Sequence, residues 1–119
     1  MEKIKVLIAD DHRVVREGLA AILKTKDDIN VVGEAQDGVE AVEKTKTLMP
    51  DVILMDVSMP RMGGIEATRQ IKREFPHMGI VALTMYEEQQ YIFDLVRAGA
   101  TGYLLKDSES SQIVAAIRA

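Results

Sequence analysis

The stretch that decides the fold is PDVILMDVSMPRMGG, residues 50–64. Val52 to Met55 is an uninterrupted apolar run of strand length, the pattern of a strand covered on both faces. It ends on a carboxylate, Asp56, and then on Met59-Pro60 and Gly63-Gly64, residues that break regular structure. A core strand that hands an acid to a tight loop needs a reason, because a buried carboxylate must be paired or hydrated at some cost.

Outward from this run, the same alternation of short β-branched segments and helical periods fills the chain. KVLIA precedes a helix predicted from about Arg13 to Lys24, with Val15, Leu19, Ile22 and Leu23 on one face and Asp11 or His12 ahead of it. INVVGEA precedes a helix opened by Asp37 with Glu40 three residues on, a capping-box spacing. That helix carries Val39, Val42 and Met49 and stops at Pro50. Beyond Gly63-Gly64 a third helix shows Ile65, Thr68, Ile71 and Phe75 and stops at Pro76. GIVALT leads to a fourth with Ile92, Leu95 and Val96, ending at Gly99, and GYLLK leads to a last one with Ile113 and Ile117. Alternating β and α units at this spacing form a parallel sheet with helices on both faces, joined by right-handed crossovers. A doubly wound, five-stranded α/β domain is expected, with residues 1–119 as one domain, since no linker or repeat divides them.

Composition narrows the function. With 119 residues and 47% hydrophobic content the chain can close a single core. It has no Cys and two His, which excludes disulfides, thiolate chemistry and zinc knuckles. Net charge is −4 with no basic cluster, the wrong sign for direct nucleic-acid binding. No run approaches a membrane span and the N-terminus lacks a signal peptide's apolar core, so a cytoplasmic protein off the membrane is expected.

In open parallel sheets ligands sit beyond the carboxyl ends of the strands. Those ends carry Asp10 and Asp11 (strand 1), Asp56 (strand 3), Thr84 (strand 4) and Lys106 (strand 5). Taken singly, several have purely structural roles open to them. Asp11 suits an N-cap as well as a ligand, Thr84 and Glu87 form a T-x-x-E capping box, and Lys106 could lead its stem out of the core. The conjunction argues otherwise. Two carboxylates about 4 Å apart repel by about 4 kcal/mol at an effective dielectric of 20, so three in one crevice call for a cation. Lys106 offsets part of this. Oxygen ligands without Cys suit a hard ion, Mg²⁺ or Mn²⁺ rather than Zn²⁺, and His12 reads as a surface residue at the helix start. An ionised Asp can attack phosphorus without a general base, and phosphoryl transfer mostly needs alignment and charge neutralisation. Asp56 is thus the candidate phosphoryl acceptor.

LIADDH, ILMDVSMPRMGG, VALT and GYLLK, in this order, resemble the receiver domain of two-component response regulators over essentially the whole chain. AGATGYLLKD is similar to the NarL/FixJ branch, whose output is a LuxR-type helix-turn-helix. The resemblance implies a flavodoxin-like (βα)5 fold with strand order 2-1-3-4-5. It implies that Asp56 accepts a phosphoryl group from a sensor histidine kinase, while Asp10, Asp11, Asp56 and the backbone carbonyl of Ser58 hold Mg²⁺. Lys106 would pair with the phosphoryl group, and Thr84 and Tyr103 match the switch positions. Ser58 and Tyr86 match positions that influence the lifetime of the phosphorylated state. A receiver homodimer on phosphorylation, and DNA bound only through a helix-turn-helix domain absent from this segment, are implied partners. The last helix is expected to be cut short. Many receivers follow the active-site Lys with Pro; here Asp107 follows Lys106, which leaves a cis bond there in question.

Competing readings are weaker. A flavin mononucleotide carrier shares the fold, but Asp10 and Asp11 would repel its phosphate. A haloacid-dehalogenase-like phosphatase uses D-x-D, whereas Ser58 holds the second position. A non-phosphorylated interaction module would have no use for the acids together with Lys106.

Overall fold

The protein's structure, a computed structural model, describes residues 2–85 and 89–119. Its elements alternate strictly: β1 (Ile4–Ala9), α1 (Arg13–Lys24), β2 (Ile29–Ala35), α2 (Gly38–Leu48), β3 (Val52–Asp56), α3 (Gly64–Glu74), β4 (Gly79–Thr84), α4 (Gln89–Ala98), β5 (Gly102–Leu105) and α5 (Ser110–Arg118). All strand pairs are parallel, in the order β2-β1-β3-β4-β5. This is the flavodoxin-like topology, with the strand order reversing between β1 and β3.

Strand alternation divides the core into two layers. Val6 and Ile8 of β1 and Leu54 of β3 pack with Leu19 and Leu23 of α1 and Ile113, Val114 and Ile117 of α5. On the other face, Leu7, Ile53, Met55 and Ile80 pack with Ala41 of α2 and Ala67 and Ile71 of α3. Leu95 of α4 completes a smaller cluster with Val57 and Ala82. β3 is therefore covered on both faces, as its unbroken apolar run requires.

The glycine pair after β3 has a steric reason. A Cβ on Gly64 would stand 2.0 Å from the carbonyl oxygen of Asp56, and the Gly64 amide donates to the Val57 carbonyl at 2.9 Å. Only glycine lets α3 begin so close to the strand that carries the acid. Gly38, at the start of α2, plays the same part against the Met62 carbonyl oxygen, 2.3 Å from its would-be Cβ.

Two expectations need correction, and the question left open at Lys106–Asp107 is answered. Met49 does not join the buried face of α2; it adopts a left-handed conformation (φ 48°) that ends the helix, with its side chain exposed. The inward stripe is Gly38, Ala41 and Thr45, small residues that bring the helix close to the sheet. Val96 of α4 points to solvent, while Leu95 fills the core. No peptide bond among the described residues is cis, so Lys106–Asp107 is trans. The Thr84–Glu87 box and Tyr86 involve residues outside those described.

Candidate phosphoryl-transfer site

Register brings the acids together. Ala9 of β1 lies beside Met55 of β3, so Asp10 and Asp56 are the next residues along neighbouring strands, on the face shared by Ile8 and Leu54. Both are nearly inaccessible, at 1% and 2% relative exposure. Lys106 follows β5, two strand spacings from β3, and its amide donates to the Thr84 carbonyl at 2.9 Å. From there its ammonium lies 3.1 Å from both Asp10 Oδ2 and Asp56 Oδ1. One cation thus bridges two carboxylates.

Asp11 does not cap α1. The N-cap position is His12, in extended conformation and without a side-chain capping bond. The His12 amide donates to Asp10 Oδ1 at 2.8 Å, turning the chain so that the Asp11 carboxylate stays at the crevice. Arg16, one turn into α1, braces this corner: Nη1 donates to the Asp10 carbonyl at 2.7 Å while Nε pairs with Glu34 of β2 at 3.1 Å. The Ser58 amide reaches back to Asp56 Oδ1 at 3.4 Å, a long and weak bond. Thr84 ends β4, is buried, and lines a cleft of about 180 Å³ with His12, Asp56, Val57, Ser58, Met85 and Lys106. Tyr103 of β5 is instead 44% exposed and does not line the cleft.

The electrostatics are those of an acid site short of positive charge. Burial first, and the charge of Asp10 second, push the Asp56 carboxyl up to about 6, even though Lys106 and the Ser58 amide pull it down. Burial opposes the charge on Lys106, but its bonds to Asp56 and Asp10 outweigh this and hold the ammonium above the ordinary lysine range. Asp56 Oδ2 and Asp11 Oδ1 are buried oxygens without a hydrogen bond. One ligand atom from each of Asp10, Asp11, His12 and Asp56 can be chosen so that all lie within 4.8 Å of one another. Carboxylate oxygens in this number suit a hard dication that keeps part of its water shell. The position of His12 in this group is not visible from sequence pattern, which reads it as a surface residue; its ring is 67% exposed, yet Nδ1 lies 3.1 Å from Asp11 Oδ1.

Known proteins share this fold and much of the sequence. The response regulator receiver domain family model matches residues 6–118. The chain is 50% identical over 116 residues to the transcriptional regulatory protein LiaR of Bacillus subtilis, covering 98% of this chain and 55% of LiaR. The chain spans about half the length of the curated relatives it matches. Among solved structures it is similar to the signal receiver domain of NarL from Mycobacterium tuberculosis, with TM-score 0.95, 36% identity and coverage of 99% of this chain and 95% of that one. It is also similar to the isolated receiver domain of RcsB from Salmonella enterica serovar Typhimurium, solved in the presence of phosphomimetic BeF3⁻. There the TM-score is 0.89 and the identity 30%, covering 99% and 88% of the two chains.

Proposed function

We propose, from the premise that this chain belongs to the response regulator receiver domain family, that Asp56 is the residue on which it takes up a phosphoryl group. A receiver is a signalling phosphoacceptor rather than a classical enzyme, and it implies a cognate histidine kinase as donor. The observation that carries the assignment to Asp56 is its state of partial satisfaction. Oδ1 is held by Lys106 and the Ser58 amide, while Oδ2 is buried with no hydrogen bond. Buried polar atoms are mostly hydrogen-bonded, and the structural Asp37 has partners at both of its oxygens.

In the proposed reaction, an ionised Asp56 oxygen forms the new O–P bond in line with the breaking P–N bond of a phosphohistidine, and the imidazole leaves. Lys106 already bridges Asp56 and Asp10, so its ammonium is placed to follow the phosphoryl oxygens as charge accumulates there. Asp10, Asp11, Asp56 and the Ser58 carbonyl would hold Mg²⁺, with Mn²⁺ an acceptable substitute. When bound, the ion neutralises charge on the transferring group. Thr84 reports the new group by moving toward its oxygens, and Tyr103 of the neighbouring strand turns inward from its exposed position, shifting an existing equilibrium. Residues 1–119 form the receiver domain of a cytoplasmic regulator that pairs with a second receiver and reaches DNA through a helix-turn-helix domain of the whole protein. Among the described residues no helix is long and apolar enough to cross a membrane.

Intact mass after incubation with a small acyl phosphate tests this. One phosphoryl group should add, only with Mg²⁺, and be absent from Asp56→Asn. A Mg²⁺-independent adduct, or equal labelling of Asp56→Asn, would overturn the assignment.

A further inference from the structure

We propose that His12 is a further ligand at the same cation site, used by transition dications such as Co²⁺ and not by Mg²⁺. This rests on the reading of the crevice as a cation site. His12 Nδ1 lies 3.1 Å from Asp11 Oδ1 and 3.4 Å from Asp10 Oδ1. Neighbouring ligand atoms of a six-coordinate ion, each about 2.1 Å from the metal, stand about 3 Å apart, and opposite ones about 4.2 Å. A group of atoms all within 4.8 Å of one another, as those of Asp10, Asp11, His12 and Asp56 are, is the size of one coordination sphere.

Two observations outside this clustering point the same way. Asp56 Oδ2 is buried without a hydrogen bond, in a residue only 2% exposed, so the crevice has an acceptor awaiting a cation. His12 also lines the same cleft as Asp56, Ser58 and Lys106. Its main chain is tied down because its amide donates to Asp10 Oδ1 at 2.8 Å, which keeps the root of the ring at the crevice.

Chemistry then separates the ions. Imidazole nitrogen suits cobalt, nickel and zinc, whereas Mg²⁺ prefers oxygen and retains water. The exposed ring can leave its place to water, so the oxygen ligands alone serve Mg²⁺. With His12 engaged, the site gains a donor that ranks dications by softness. It would therefore discriminate among metals in a way that an all-oxygen crevice does not.

The test is calorimetric titration of the full chain with Mg²⁺ and with Co²⁺, alongside the visible absorption of the cobalt form. Wild type is compared with His12→Asn, His12→Gln, His77→Asn and Asp56→Asn. The two His12 variants should lose about tenfold or more in Co²⁺ affinity and shift the cobalt bands, with Mg²⁺ affinity unchanged within about twofold. His77, exposed in the turn before β4 at the end of the strands opposite the crevice, should matter to neither ion. Unchanged Co²⁺ affinity in both His12 variants would overturn the proposal and leave His12 as an exposed neighbour of the acids with no part in binding the ion. Parallel loss of both ions in properly folded His12 variants would overturn it too, since the residue would then only position the acids. If Asp56→Asn binds both ions like wild type, the cation-site reading itself fails.

Discussion

Two buried aspartates on this molecule have opposite fates. Asp37, 3% exposed, opens α2: Oδ1 accepts the Glu40 amide at 2.8 Å and Oδ2 pairs with Arg61 at 3.2 Å. Both oxygens are occupied, by a helix cap and by a guanidinium from the β3–α3 loop. Asp56, equally buried, has one oxygen bonded and one not, and sits beside a second buried acid. Burial alone does not separate structure from function; the completeness of a carboxylate's partners does. A satisfied acid holds two segments together, whereas an incomplete one awaits a ligand.

The largest effect expected from this contrast is chemical. Asp56→Asn should abolish phosphoryl uptake from an acyl phosphate, and Asp37→Asn should retain it within a few-fold, both read by intact mass. If the Asp37 variant also failed to label while its circular dichroism stayed native, the division between the two acids would break down.

A second measurement concerns pH. The folded Asp56 titrates near 6 against an ordinary 3.8, so the fold binds its proton more tightly than the unfolded chain does. Well below pH 4 both states are protonated and this costs nothing. As pH rises to 6 the unfolded chain ionises first, and the metal-free protein loses up to about 3 kcal/mol of stability, level thereafter. Urea midpoints of wild type and Asp56→Asn, in chelator, should therefore diverge between pH 4 and 7, the variant being the more stable above pH 6. Equal pH dependence of the two proteins would show that Asp56 is relieved by something other than a cation.

A smaller loss should follow from Asp37→Ala, which removes a cap and leaves an amide and an arginine without their acceptor. It should cost about 1–2 kcal/mol at any pH from 5 to 8, measured by denaturant unfolding. Smallest of all, Arg61→Ala should cost under about 1 kcal/mol, since its side chain is exposed and the cap survives. A larger loss there would mean that the loop clamp, not the cap, makes Asp37 structural.

How far the sequence carries the reader depends on the range of the interaction. Strand runs and helix periods are local, so all five strands are legible, and Asp10, Asp11, Asp56, Thr84 and Lys106 follow from their places at strand ends. The bracing contacts are not legible. Arg61 reaches Asp37 across 24 residues from a left-handed backbone position (φ 66°), and Arg16 grips a main-chain carbonyl, which no side-chain pattern advertises. Asp11 reads equally as cap or ligand until the backbone of His12 takes the N-cap position. Glu109 with Gln112 forms a reciprocal capping box at α5 in a place where pattern offered only the apolar Ile113 and Ile117.

The strand order has a consequence for how the site opens. Asp10 and Asp56 hang from β1 and β3, interior strands paired on both sides, whereas Lys106 follows β5, a four-residue strand at the edge paired only with β4. Amide hydrogens of the interior strands should exchange only through global unfolding, while those of β5 can exchange through a cheaper, sub-global opening. The half of the crevice that would meet a metal is thus anchored in the slowest-exchanging part of the chain. The half that would meet the phosphoryl oxygens rests on the strand best able to breathe.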